Sequence, residues 1–119
     1  MIRTHLVGDT MILVAYGRRF VNTVRMEISA YDTAGVALPA YGSNGAVLDT
    51  TDFFGADGNI NDFQSVLDSE GRLTILGGNA QANIQLIRFM PNGTRDASYG
   101  ENGRVLVPYL GTNIMPAAG

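Results

Sequence analysis

Carboxylate and amide oxygens at alternate positions can ring a hard cation, and residues 57–62, DGNIND, offer that pattern. Asp57, Asn59 and Asn61 alternate, and Asp68 follows where a closing carboxylate would stand. The ligand order approximates a calcium loop. It departs from one at Asp62, where the sharp turn wants glycine, and at Asp68, where Glu is usual. Calcium is therefore the one cofactor the sequence suggests. The surrounding segment, residues 49–70, holds Asp49, Asp52, Asp57, Asp62, Asp68 and Glu70 with no basic residue among them. A pair of such carboxylates is also the equipment of a glycoside hydrolase. The chain has no Trp, so a sugar-stacking platform would fall to Tyr and Phe.

The basic counterpart is GRRF, residues 17–20, where Arg18, Arg19 and Phe20 are expected on a hairpin crown and are candidates for binding an anion or an acidic loop. Arg88 and Asp96 are spaced to pair across a strand and the turn that follows it, which would orient the turn. Other chemistry lacks equipment. His5 is the only histidine, lies near the N-terminus and is expected at the surface, so it supports no Ser-His-Asp order. GGNAQAN, residues 77–83, lacks the Lys-Ser/Thr ending of a phosphate loop. With no cysteine, thiolate catalysis, disulfides and Cys-based zinc sites are excluded.

The elements that must carry these residues read as strands. The chain is 45% hydrophobic and 16% charged, an ordinary globular balance, with glycine high at 15. VRMEISAY, residues 24–31, sets Val24, Met26, Ile28 and Ala30 on one face and Arg25, Glu27 and Ser29 on the other. IQLIRF, residues 84–89, has the same period of two. MILVA and LTIL are short apolar runs suited to central strands, and DFQSVLDSEGRLTIL, residues 62–76, reads as strand, turn at Asp68 to Gly71, strand. Pro108 predicts an edge position or a strand end. No stretch carries a helical period, and none is apolar for long enough to span a membrane as a helix. The N-terminus shows no basic region followed by an apolar core, so no signal peptide is visible. A net charge of -3 argues against general nucleic-acid binding, although all 8 basic residues are Arg.

The sequence says the same thing twice. Tyr41-Gly42 and Tyr99-Gly100 lie 58 residues apart (99 − 41), and the same shift sets Gly35 on Gly93, Asn44 on Asn102, Gly45 on Gly103 and Val47 on Val105. Upstream, MILVAYG overlies RLTILGG at a shift of 61 (78 − 17), which leaves three extra residues in the first copy around Arg18 to Thr23. Residues 1–60 form the first, diverged repeat and residues 61–119 the second. Repeats of roughly this length mark solenoids and propellers. The fold expected is all-β, with blades of four antiparallel strands.

The second copy, from Leu86 to Val105, resembles the delta-60 repeat family: an aliphatic-Arg-aromatic start, Asn-Gly, an Asp ahead of an aromatic-Gly pair, then Gly-aliphatic. Arg88, Asp96, Tyr99, Gly100 and Gly103 stand on the family positions, and SEGRLTILGG is similar to its Gly-Gly segment. In the first copy Ala30 replaces the Arg and Leu38 the Asp. The resemblance implies a bacterial β-propeller, located extracellularly, on a cell surface or in a virion, and it implies no catalytic residues.

Two blades cannot close a ring. If the strand after Asn-Gly opens a blade, residues 45–89 make one complete blade. Residues 1–31 are then the last three strands of another, and residues 103–110 are a first strand without followers. On that phase the chain ends exchange strands between copies, and a homotrimer, or alternatively a homotetramer, closes a propeller. The function expected is a non-enzymatic structural or binding module within a larger assembly. The alternatives are a propeller that binds a glycan or an anion, and a hydrolase using carboxylates of residues 49–70.

Overall fold

A computed structural model of the chain describes residues 2–19, 24–49, 63–78 and 83–108. Every regular element among them is a strand: β1 (Ile2–Val7), β2 (Met11–Arg19), β3 (Val24–Tyr31), β4 (Ala46–Leu48), β5 (Gln64–Leu67), β6 (Leu73–Gly78), β7 (Asn83–Phe89) and β8 (Arg104–Pro108). They form two four-stranded antiparallel meanders, β1-β2-β3-β4 and β5-β6-β7-β8, here called sheet one and sheet two. Neither sheet closes on itself. Pro108 ends β8 at the edge of sheet two, where its missing N–H costs the ladder nothing.

The expected blade phase is overturned. The strand after each Asn-Gly is the fourth of its own sheet: Ile28 pairs with Val47 and Leu86 with Val105. The cause is the long connection before it. Leu38 N–H donates to Ala30 O, and Ala30 N–H donates to Gly45 O, so residues 32–45 fold back along β3 and deliver β4 to it. In the second copy, Asp96 N–H to Arg88 O and Arg88 N–H to Gly103 O do the same for β8. Each sheet is complete within the chain, and β8 has no strand to donate. Residues 45–89 are not one blade, and residues 1–31 have their fourth strand in β4, so the phase on which strand exchange between chain ends is expected is not the phase of the described residues.

The duplication is written into the backbone. The turn bonds Tyr41 N–H to Leu38 O and Gly45 N–H to Tyr41 O return as Tyr99 N–H to Asp96 O and Gly103 N–H to Tyr99 O. Asn44 and Asn102, the two non-glycine residues at positive φ among those described, both sit at 55°. Asparagine tolerates that region better than other side chains.

The two copies do not use equivalent faces for packing. Sheet one buries Leu13, Ala15, Met26, Ile28 and Ala30. Sheet two buries Phe63, Leu73, Ile75, Gln85, Ile87 and Phe89. Under the repeat shift Ile28 corresponds to Leu86, which points the other way from Ile87, because successive strand residues alternate faces. Sheet one thus lays its front on the back of sheet two. The apolar side chains of both meet in one core, and the loop residue Tyr41 seals its edge at 3% exposure.

Polar bonds fix the seam around that core. Arg3 donates from Nε and Nη2 to the Phe63 carbonyl at 3.3 and 3.2 Å. Asp49, buried beside β4, receives Arg95 Nη2 at 2.6 Å and Nε at 3.1 Å. The third Arg95 nitrogen, Nη1, donates to Asn102 O at 2.9 Å, so the guanidinium bridges sheet one to the turn ahead of β8. A forked, charge-assisted contact with one partner buried resists loss of either end. Asp49→Ala and Arg95→Ala are each expected to cost about 2–3 kcal/mol in urea unfolding, with a coupling of at least about 1 kcal/mol in the double-mutant cycle. Additive effects would contradict this account of the seam.

Candidate functional site

The second-repeat motif folds into a local cluster. Arg88 lies on β7, and Asp96 follows in the connection to β8. Arg88 Nε donates to Asp96 Oδ2 at 2.9 Å, and the guanidinium carbon lies 4.2 Å from the Tyr99 ring centre. The other Asp96 oxygen accepts the Ser98 hydroxyl at 2.7 Å and the Ser98 N–H at 3.2 Å. The Ser98 hydrogen bond, followed by the one from Arg88, holds the Asp96 carboxyl below its usual range despite desolvation. Gly100 sits at φ 58°, and a Cβ there would strike the Arg104 carbonyl and the Val105 side chain. At Gly103 a Cβ would strike the Arg95 side chain. The cluster shapes the turn: both Asp96 oxygens and Arg88 Nε are engaged within it.

The other sequence candidates are dispersed. Asp57, Asn59, Asn61 and Phe20 lie outside the described residues. Asp68 is engaged by its own turn: Oδ1 accepts Glu70 N–H and Arg72 N–H at 2.9 Å each, and Oδ2 takes Arg72 Nε at 2.7 Å. The backbone N–H of Arg72 contributes most to depressing its pKa. Among the described residues no three His, Cys, Asp or Glu side chains come together as a metal site. Arg18 and Arg19 are the last residues of β2 rather than a hairpin crown. Arg18 lies 3.4 Å from Glu27, whose carboxylate also accepts the Tyr16 hydroxyl at 2.6 Å.

His5 departs from its expected place at the surface. It lies half-buried in the seam between the sheets, with Nε2 2.7 Å from Ser65 Oγ. Desolvation, and then the Arg3 charge, lower its pKa. Sequence reasoning missed this contact and the Asp49–Arg95 pair, because their partners lie 60 and 46 residues apart with no local pattern to join them.

What stands out is surface left over. The outer side of sheet one carries Ile2 and Leu6, 64% and 60% exposed, with Ile12, Val14, Tyr16 and Tyr31 half-buried beside them. The outer side of sheet two carries Val66 at 63%, with Leu76, Val107 and the half-buried Ile84, Leu86 and Val105. Both outer faces thus mix exposed apolar side chains with polar ones, such as Thr4 and Glu27 on sheet one and Gln64 and Arg88 on sheet two. A smaller cleft of about 310 Å³ is lined by Arg95, Glu101, Asn102, Arg104 and Leu106. No helix among the described residues is long and apolar enough to cross a membrane.

No protein-family model, curated protein or solved structure matches the chain.

The cluster gives a pH prediction. Because the folded pKa of Asp96 lies below the ordinary carboxyl value of 3.8, the unfolded chain takes up the proton first as pH falls. The stabilisation is complete above that value and drains away as pH drops through the folded pKa. Asp96→Asn should unfold more easily than the parent at neutral pH, and the gap should close as pH falls below about 4 and through the folded pKa. Thermal melts across that range check it, and a gap independent of pH would refute it.

Proposed function

We propose that the protein is a non-enzymatic structural or binding module that works as a homo-oligomeric β-propeller. The observation that supports this reading most strongly is the use of unlike faces. When two copies of one unit pack front to back, an unused back remains at one end and an unused front at the other. Such heterologous contacts continue until a ring closes. Each chain brings two sheets of four strands, so three chains would make six blades and four would make eight, within the usual range of propellers. The homotrimer is the preferred ring. Its resemblance to delta-60 repeats points to a surface-associated, secreted or virion assembly, in which the ring would meet other proteins through its loops.

The alternatives find less support. The described carboxylates of the 49–70 segment, Asp49, Asp68 and Glu70, each lie against an arginine, which suits neither a general acid nor a nucleophile. An anion would find Arg104 in the cleft near β8, but Arg95 there is already committed to Asp49 and Asn102.

Light scattering or native mass spectrometry tests the reading. The expected mass is three, or else four, times the 12.7 kDa of the chain. A species that stays at a single chain mass at all concentrations would end it.

A further inference from the structure

Resting on the homo-oligomer reading, we infer that a second copy of this chain docks its sheet one on the outer side of sheet two, through a contact that repeats the seam inside the chain. The partner is identified by position. Most apolar residues on the open faces have a repeat counterpart buried in the seam, as Ile12 has Leu73, Val14 has Ile75 and Leu86 has Ile28.

Burial follows this rule. Phe63 is 1% exposed and its counterpart Ile2 is 64% exposed. Ala15 is 1% exposed and its counterpart Leu76 is 38% exposed. Tyr41 is sealed at 3%, whereas Tyr99 is only half-buried. The glycines show it most clearly. Gly93 and Gly35 have nearly the same backbone, φ 92° and φ 88°. A Cβ on Gly93 would lie 2.9 Å from the Tyr41 ring and from a Val47 methyl, and 3.0 Å from Gly42 N. A Cβ on Gly35 would meet nothing within 4 Å. The slot that takes Tyr41 in one copy stands open in the other.

The seam therefore specifies the missing contacts. Inside the chain Gly42 N–H donates to Asn92 O at 2.8 Å. Between chains, Gly100 N–H donates to Ala34 O of the next copy, and Tyr99 covers Gly35 of the next copy. Inside the chain His5 reaches Ser65. Between chains the same positions are Val66 and Thr4 of the next copy, with Ile2 alongside. Val66 and Thr4 are both exposed, and they lie on opposite outer faces of one chain, so they cannot touch each other within it.

The chain has no cysteine, so introduced thiols are unambiguous. Thr4→Cys, Val66→Cys and the double variant would each be treated with a short bismaleimide and read on a denaturing gel. The double variant should give a ladder that ends at the native chain number, and each single variant should stay at one chain. Val66→Arg, a change at a side chain 63% exposed within the chain, should keep the parent circular dichroism spectrum and weaken assembly at least tenfold. Linkage of Val66→Cys to itself would mean like faces meet, and the inference falls. An oligomer in which the double variant stays unlinked and Val66→Arg stays assembled would also overturn it, while leaving the homo-oligomer intact. A parent chain that is monomeric ends both.

Discussion

The architecture depends on one close approach of two backbones, where residues 41–42 of sheet one meet residues 92–93 of sheet two. Gly42 N–H donates to the Asn92 carbonyl, and the Tyr41 ring lies where a side chain on residue 93 would have to stand. Only a residue without a Cβ permits that distance, and only glycine holds its positive φ cheaply. The contact decides which face of sheet two turns inward. The burial of the Tyr41 ring follows, pushing its hydroxyl pKa up to about 12. That hydroxyl has no hydrogen-bond partner among the described residues, a cost the surrounding apolar contacts must outweigh.

Burial of apolar side chains supplies the drive for the sheets to pack, and the polar bonds supply the alignment. Arg3 on the Phe63 carbonyl, His5 on Ser65 and the Arg95 fork on Asp49 each fix one point, and together they hold the sheets in one position. Two like units held in an unlike-face arrangement have a direction. The proposed end-to-end assembly would follow from that direction and would need no separate device.

Much of the fold was legible because its signals are local. Alternation along residues 24–31 marks a strand, and glycine or Asn-Gly at fixed places marks the turns. Arg88 and Asp96 are close enough in the chain to be paired from spacing, and Asp68 could be placed in its turn. The blade phase was not legible. Asn-Gly announces that a strand follows and does not say which strand it joins. That is set by the return of residues 32–45 along β3, through bonds such as Leu38 N–H to Ala30 O that no side-chain pattern encodes. The facing of the sheets was also hidden, since both faces of β2 and β6 are apolar. Asp49–Arg95 and His5–Ser65 join residues from different copies, where the repeat gives no guide. The candidate cation residues Asp57, Asn59 and Asn61 lie outside the described residues.

The most direct measurement is a crystal structure of the purified protein. The account predicts a closed ring of whole chains in which every sheet packs front to back, with Gly35 beneath Tyr99 of the neighbouring chain as Gly93 lies beneath Tyr41. A two-fold dimer joining identical faces, or a lone chain in which sheets one and two bury equivalent faces, would contradict it.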